Sequence, residues 1–276
     1  MDSPSPSSPT TYTHGHHGSV LASHAARTAA NSCAYFLDRL REGDSVLDIG
    51  CGPGSITLDL AEIVGPSGRV VAVDPAADAI SAAQEAASRR GDTRTEFVRG
   101  DVHHLDLPPA SFDVVHAHQV LQHLRDPVGA LQAMARYCRP GGFVAARDAD
   151  YSAMFWFPES PGIDRWRAIH SVAAWSNGAQ PDAARRLRSW ARAAGFENAI
   201  ISSSTWTYAT AEATSWWGNS QAARVRHSNF ASQAADQGLG PQEVEDIAVA
   251  WETWGEDPDA WFTIVHGEVL ITRPAG

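Results

Sequence analysis

The sequence predicts an α/β fold, a parallel sheet with helices on both faces, and three observations carry that expectation. Short apolar segments alternate with stretches of helical period: SVLDI at 45–49, RVVAV at 69–73, TEFVRGD at 95–101, FDVVHAH at 112–118 and GGFVAARD at 141–148. Such βαβα alternation places crossover helices over a parallel sheet. The first segment runs straight into GCGPG and then into a helical pattern, a glycine-rich turn from strand to helix. The chain has 276 residues, 43% of them hydrophobic, enough for one large α/β domain or two small ones.

The elements follow in order. Residues 1–11, MDSPSPSSPTT, read as a disordered Ser- and Pro-rich tail without the features of a secretion signal. Leu21, Ala25, Ala29, Cys33, Phe36, Leu37 and Leu40 stand at helical spacing and predict one long helix over 19–40, closed by a turn at REGD, 41–44. Ile56, Leu60 and Val64 share one face of the helix after the first strand. Further helices are expected over 76–90, around Leu131, Met134 and Cys138, and over 182–195, ending at Gly195. AIISSSTWT (199–207) and WFTIVHGEVLITR (261–273) read as late strands, with a helical insertion from Tyr208 to Asp259 between them. All ten tryptophans lie between Trp156 and Trp261.

Composition removes several functions. The formal charge is −11, from 21 basic and 32 acidic residues, and there is no basic run. Nucleic acid and anionic membrane, which need a positive face, are therefore not expected partners. Every basic residue is arginine, so lysine Schiff-base and P-loop chemistry are excluded. No apolar run reaches the roughly 18–20 residues of a membrane span. Cys33, Cys51 and Cys138 are odd in number and far apart, as expected in a reducing cytoplasm without a disulfide framework or zinc site. No metal is assigned.

The chemistry is concentrated in VLDIGCGPGSITLDLA, 46–61. Asp48 ends the strand, Gly50, Gly52 and Gly54 form the turn, and the helix presents free N–H groups to a ligand. The spacing is GxGxG. A dinucleotide fingerprint would carry its third glycine at Ser55, which counts against NAD. Asp74 ends the second strand, where a carboxylate can accept both hydroxyls of a ribose. Asp101 and Val102 end the third, where an acidic side chain can meet an adenine amino group. HAHQVLQHL at 116–124 brings His118, Gln119 and His123 to the crevice at the strand ends. Asp48 as a loop brace, Asp101 as a turn residue and His123 as a structural hydrogen-bonder remain alternatives.

Together LDIGCGPG, Asp74, GDV at 100–102, FDVVHAHQVLQHL and RPGG at 139–142 resemble the class I S-adenosylmethionine (SAM) methyltransferases. They look most like the type 11 subgroup related to ubiquinone and menaquinone biosynthesis. The resemblance covers about residues 45–148. It implies a Rossmann-like, seven-stranded, mostly parallel sheet, its last strand inserted antiparallel beside the fifth, under a helical, Trp-rich substrate cap. It implies SAM as cofactor, with Asp48, Gly50, Gly52 and Gly54 at the methionine portion, Asp74 at the ribose, and Asp101 and Val102 at the adenine. The backbone near His118 and Gln119 would meet the amino group, and Cys51, Pro75 and His123 complete the expected cofactor contacts. The expected divisions are a tail (1–11), an N-terminal lid and helix (12–44), a SAM-binding core (45–150) and cap insertions with the remaining strands of the same domain (151–276).

The expected activity is methyl transfer from SAM to a small aromatic acceptor, quinone-, phenol- or indole-like, in secondary metabolism. The aromatic reading rests on the tryptophans, of which Trp156, Trp166, Trp175, Trp216, Trp217, Trp251 and Trp254 fall in the cap regions. An NAD-dependent oxidoreductase, or a protein of this fold without methyl transfer, stands as the alternative. Tyr12, His16, His17 and His118 are the candidate catalytic residues, with Asp150, Tyr151 and His227 also in view as bases. The imidazoles of YTHGHHGSV (12–20) suit a metal such as zinc, nickel or copper, but no carboxylate or cysteine sits nearby in sequence and methyl transfer needs no metal. Residues 12–17 are expected to close over the cofactor as a lid, with a frayed terminus as the alternative. A cytoplasmic protein with a small-molecule partner, open to homo-oligomer formation, completes the expectation.

Overall fold

The computed structural model describes residues 27–275. Seven strands form one sheet: β1 (Ser45–Ile49), β2 (Arg69–Asp74), β3 (Thr95–Arg99), β4 (Phe112–His118), β5 (Cys138–Phe157), β6 (Ile200–Tyr208) and β7 (Trp261–Thr272). Their order is β3-β2-β1-β4-β5-β7-β6. β7 runs antiparallel between β5 and β6, and the pairs among β1 to β5 are parallel. The order reverses beside β1, so β1 and β4 open a crevice at their C-terminal ends.

The helices are α1 (Ala29–Ser32), α2 (Ser55–Val64), α3 (Ala77–Arg90), α4 (Pro127–Tyr137), α5 (Pro161–Ser176), α6 (Leu187–Ala193), α7 (Ala211–His227), α8 (Phe230–Asp236) and α9 (Pro241–Glu256). Successive strand residues point to opposite faces. Val46, Val70, Val114, Ala145 and Leu270 therefore meet α1 and α2 on one side. Leu47, Val71, Val115, Ala146 and Ile271 meet α4 and α6 on the other. A separate apolar cluster lies beyond the strand ends, where α5, α7, α8 and α9 close around Trp251 and Phe262. Among the described residues no helix is long and apolar enough to cross a membrane.

The long helix expected over 19–40 is not formed in its described part. Thr28 takes extended backbone and starts a new helix. Its hydroxyl accepts from the Asn31 N–H at 3.2 Å, and the Asn31 side chain accepts from the Thr28 N–H at 2.9 Å. This capping box fixes the start of α1, a single turn that ends at Cys33. Ala29, Cys33, Phe36 and Leu40 still pack on the sheet, which is what their spacing reports. The 182–195 helix is likewise shorter. Asp182 bridges Asp150 as an antiparallel partner, so the chain stays extended there, and α6 begins only at Leu187. Gly195 follows α6 at φ +97°, a left-handed position. Cys138 closes α4 and opens β5.

Candidate functional site

Gly50, Gly52 and Gly54 have φ of +70°, +54° and +81°. This is the region glycine enters without strain. A Cβ on Gly50 would lie 2.3 Å from Val120 Cγ2. The Gly50 and Cys51 N–H groups donate to the Val73 carbonyl, which ties the loop to β2. Gly54 caps α2 against Ala83 and does not line the cavity described below. Asp74 holds the loop from the other side, accepting from the Gly52 N–H at 3.0 Å and the Ala76 N–H at 2.9 Å.

Asp48 faces the cavity from beneath the loop, but both carboxylate oxygens are engaged. Thr57 donates to one at 2.5 Å, and His116 Nδ1 lies 2.7 Å from the other. Burial disfavours the imidazolium of His116, yet the Cys33 sulfur and the Asp48 carboxylate outweigh it and push His116 up to about 10. Asp48 therefore braces the loop, whatever else it meets. Asp101 accepts from the His103 N–H (2.9 Å) and faces the His103 ring at 2.8 Å. Burial works against its charge, but these His103 contacts hold its carboxyl below the usual range.

One cavity of about 460 Å³ joins Asp48, Gly50, Gly52, Asp74, Asp101 and His116. Its first end is lined by Asp48, Gly50, Cys51, Gly52, Asp74, Pro75, Asp101 and Val102. His118, which ends β4, and Gln119 and His123, which follow it, also line the cavity. Gln119 sits at φ +54° and bridges the Arg27 guanidinium (2.7 Å) to His266 Nε2 (2.9 Å). Desolvation, with the charges of His170 and Arg27, presses His123 down to about 3. At the far end Tyr151, Trp166, Trp206, Tyr208 and Trp217 form an aromatic wall, with Met154, Gln221 and Arg224 also lining the cavity. Tyr208 stacks on Trp217 at 4.5 Å and 7° between planes.

Other expected site residues lie elsewhere. Asp150 is buried outside the cavity in a bidentate pair with Arg185, at 2.7 and 2.6 Å, and cannot reach a reacting group there. His227 is exposed in the last turn of α7. Tyr12, His16 and His17, and the lid expected over 12–17, lie outside the described residues. Of the tryptophans expected at the cap, Trp166 and Trp217 line the cavity, while Trp251 and Trp254 pack the cap interior. The sequence reading missed Arg27, Gln221, Arg224, Trp206 and Tyr208. The last two had a signal, since their i, i+2 spacing on β6 puts both rings on one face. Among the described residues no His, Cys, Asp and Glu group is placed to hold a metal.

The family described as "Methyltransferase domain" matches residues 40–212. The chain belongs to the class I SAM-dependent methyltransferases. This methyltransferase is 34% identical, over 95% of its length and 96% of the relative's, to an uncharacterised methyltransferase of Schizosaccharomyces pombe. It is 32% identical to the demethylmenaquinone methyltransferase of Lactococcus lactis over 41% of its own chain and 44% of that one. Its fold resembles the phosphoethanolamine N-methyltransferase 2 of Haemonchus contortus, solved with phosphomonomethylethanolamine and S-adenosylhomocysteine (SAH). That likeness has a TM-score of 0.56 at 16% identity and covers 87% of this chain and 52% of the other. A SAM-dependent methyltransferase of Aquifex aeolicus matches with a TM-score of 0.51 at 18% identity, over 68% of this chain and 90% of that one.

Asp148, at the end of the parallel part of β5, is buried with Oδ1 accepting from the Gln122 N–H (3.0 Å) and Oδ2 without a hydrogen-bond partner among the described residues. Burial raises its carboxyl from 3.8 to about 7. Below about pH 4 the group is neutral folded or unfolded and costs nothing. Between about 4 and 7 the unfolded chain ionises first, so the cost to folding grows, and it is complete above about 7. Asp148→Asn should therefore gain stability relative to the parent as pH rises through that window, measured by urea unfolding at pH 5 and pH 8. Equal differences at the two pH values would mean that the carboxyl titrates normally.

Proposed function

We propose that the cavity holds SAM at its glycine-loop end and a small aromatic acceptor at its aromatic end, and that the protein transfers a methyl group between them. The observation that carries this reading is continuity: one cavity contains both the loop-and-carboxylate end and the aromatic wall. The residues suit the cofactor. Gly50 takes a left-handed backbone that lets the loop turn tightly beside the cavity, and the Asp74 carboxylate, which accepts from the Gly52 and Ala76 N–H groups, lines the cavity at that loop. In this reading Gly50, Cys51 and Gly52 flank the methionine portion above Asp48, Asp74 and Pro75 the ribose, and Asp101 and Val102 the adenine. His118, Gln119 and His123 stand toward the amino group and the acceptor.

Bound SAM supplies an activated methyl group on a sulfonium. The protein then needs to orient the two partners and keep water away, which is the task of the aromatic wall and the loop. Asp74→Ala should weaken SAM binding about tenfold to a hundredfold, because hydrogen bonds to a charged group contribute roughly 1.5–3 kcal/mol. An unchanged dissociation constant in calorimetry would place the ribose elsewhere. The function itself is tested by incubating the protein with SAM and a panel of phenols, quinols, indoles and short aliphatic acceptors. The expected result is a methyl mass gain on an aromatic compound with SAH formed in equal amount. Methylation of the aliphatic compounds alone would overturn the aromatic assignment.

A further inference from the structure

We propose that the acceptor presents its reacting oxygen as an anion, an aromatic phenolate or enolate held by the N–H of His118 at the Arg27 side of the cavity. This rests on the reading of the cavity as a SAM and acceptor site. It adds what charge the acceptor carries and what His118 does.

His118 lines the cavity with 5% of its surface exposed, and neither ring nitrogen has a hydrogen-bond partner among the described residues. A buried imidazole left in this way calls for a ligand that completes it. Its neighbours are already committed. Gln119 joins Arg27 to His266. Trp206 gathers the cluster: the Arg27 guanidinium is 5.7 Å and the Arg147 guanidinium 4.9 Å from its ring centroid, with the His118 ring at 5.6 Å and the His266 ring at 4.5 Å. Of the arginines, Arg27 and Arg224 stand on the cavity wall, and Arg147 lies buried behind Trp206.

The nearby carboxylates are answered by other groups. Glu268 faces Arg147 at 3.5 Å and accepts from Ser202 and Ser204, while Asp48 faces His116 and Thr57. Two guanidiniums and burial therefore act on His118 together. Burial first, then Arg27 and Arg147, hold its ring neutral, far below the usual imidazole range.

That environment decides between two roles. A ring whose proton affinity is pressed down is a weak proton acceptor. A neutral imidazole still carries one N–H, and the Arg27 guanidinium on the cavity wall, which opposes its protonation, favours an anion beside it. The acceptor hydroxyl thus loses its proton to solvent before transfer. Its oxygen supplies the electron pair of the new O–CH₃ bond, the sulfur keeps the pair of the broken C–S bond, and neutral SAH leaves. No general base is required.

The test uses 4-nitrophenol, whose ionised form absorbs visible light, titrated against the full chain saturated with SAH. The bound phenol is expected to ionise at least one pH unit below its value in water, a tenfold shift. His118→Leu should remove most of that shift and His118→Asn, which keeps an N–H donor, should retain it. An unchanged or raised value for the bound phenol overturns the proposal, as does equal binding of nitrobenzene and 4-nitrophenolate. Loss of the shift in both variants also overturns the N–H role. Each titration is paired with calorimetry for SAH. Failure of SAH to bind brings down the earlier reading and this one with it, whereas SAH binding without the shift brings down this one alone.

Discussion

Gly50→Ala is expected to weaken SAM binding by about a hundredfold or more while the protein still folds. Gly50 stands at φ +70°, and a Cβ there would sit 2.3 Å from Val120 Cγ2. The left-handed backbone costs a residue with a side chain roughly 1–2 kcal/mol. Relieving the contact costs roughly another 1–3 kcal/mol of overpacking, or else the loop moves. Movement is the cheaper course, because the loop is a surface turn held by hydrogen bonds from Gly50 and Cys51 to Val73 and from Gly52 to Asp74. A moved loop no longer presents its backbone to the cofactor, and about 2.8 kcal/mol is a hundredfold in affinity. Calorimetry with SAM measures it, with circular dichroism as the check on folding. Gly141→Ala is the control. Gly141 has φ +81°, and a methyl group added there would meet nothing within 4 Å, so it carries the backbone strain without touching the site. Affinity within threefold of the parent for Gly50→Ala would show that this loop is not part of the SAM site.

The parts of this fold that the sequence displays are those in which neighbouring residues determine one another. β1, β2 and β4 are short apolar runs, because a central parallel strand is buried on both faces, whereas β3, TEFVR, lies at the sheet edge with no fully buried residue. Gly50, Gly52 and Gly54 advertise their turn because no other residue takes those angles without strain, and Asp74 lies one strand further on at the same edge. What escaped the pattern depends on contacts between distant segments. The break before Ala29 is set by Thr28 and Asn31, two residues that leave the apolar spacing of 19–40 undisturbed. Asp150 looks like a free acid until Arg185, 35 positions away, is seen to grip it. Arg27 reaches Gln119 across 92 positions, and nothing in either neighbourhood foretells the meeting. The tryptophans show the same division. Their crowding into the second half announced an aromatic cap, but only packing separates Trp217 on the cavity wall from Trp251 in the cap interior.

Arg147→Leu is expected to be among the most destabilising single changes in the chain. The Arg147 side chain is buried beside Glu268, which is itself only 4% exposed. Arg147 Nε and Nη2 each donate to Ser204 Oγ at 3.1 Å, and Nε lies 3.5 Å from Glu268 Oε1. The guanidinium also faces the Trp206 ring at 4.9 Å. Replacing it with leucine removes three side-chain heavy atoms and leaves a carboxylate buried between β5, β6 and β7 with, among the described residues, Ser202 and Ser204 as its donors. Breaking a buried pair on one side costs about 3–5 kcal/mol. At roughly 2–4 °C per kcal/mol for a chain of this size, the melting temperature should fall by about 6–20 °C. Removing both charges tells whether the loss comes from the stranded carboxylate or from the missing arginine. In Arg147→Leu with Glu268→Gln, no buried charge remains and the two serines keep an amide oxygen to bond, so the part of the loss that comes from the stranded carboxylate should return, while the cost of the smaller side chain remains. If the double variant instead melts at the sum of the two single losses, the two residues are not coupled, and Arg147 stabilises the sheet through Trp206 and Ser204 rather than through its carboxylate.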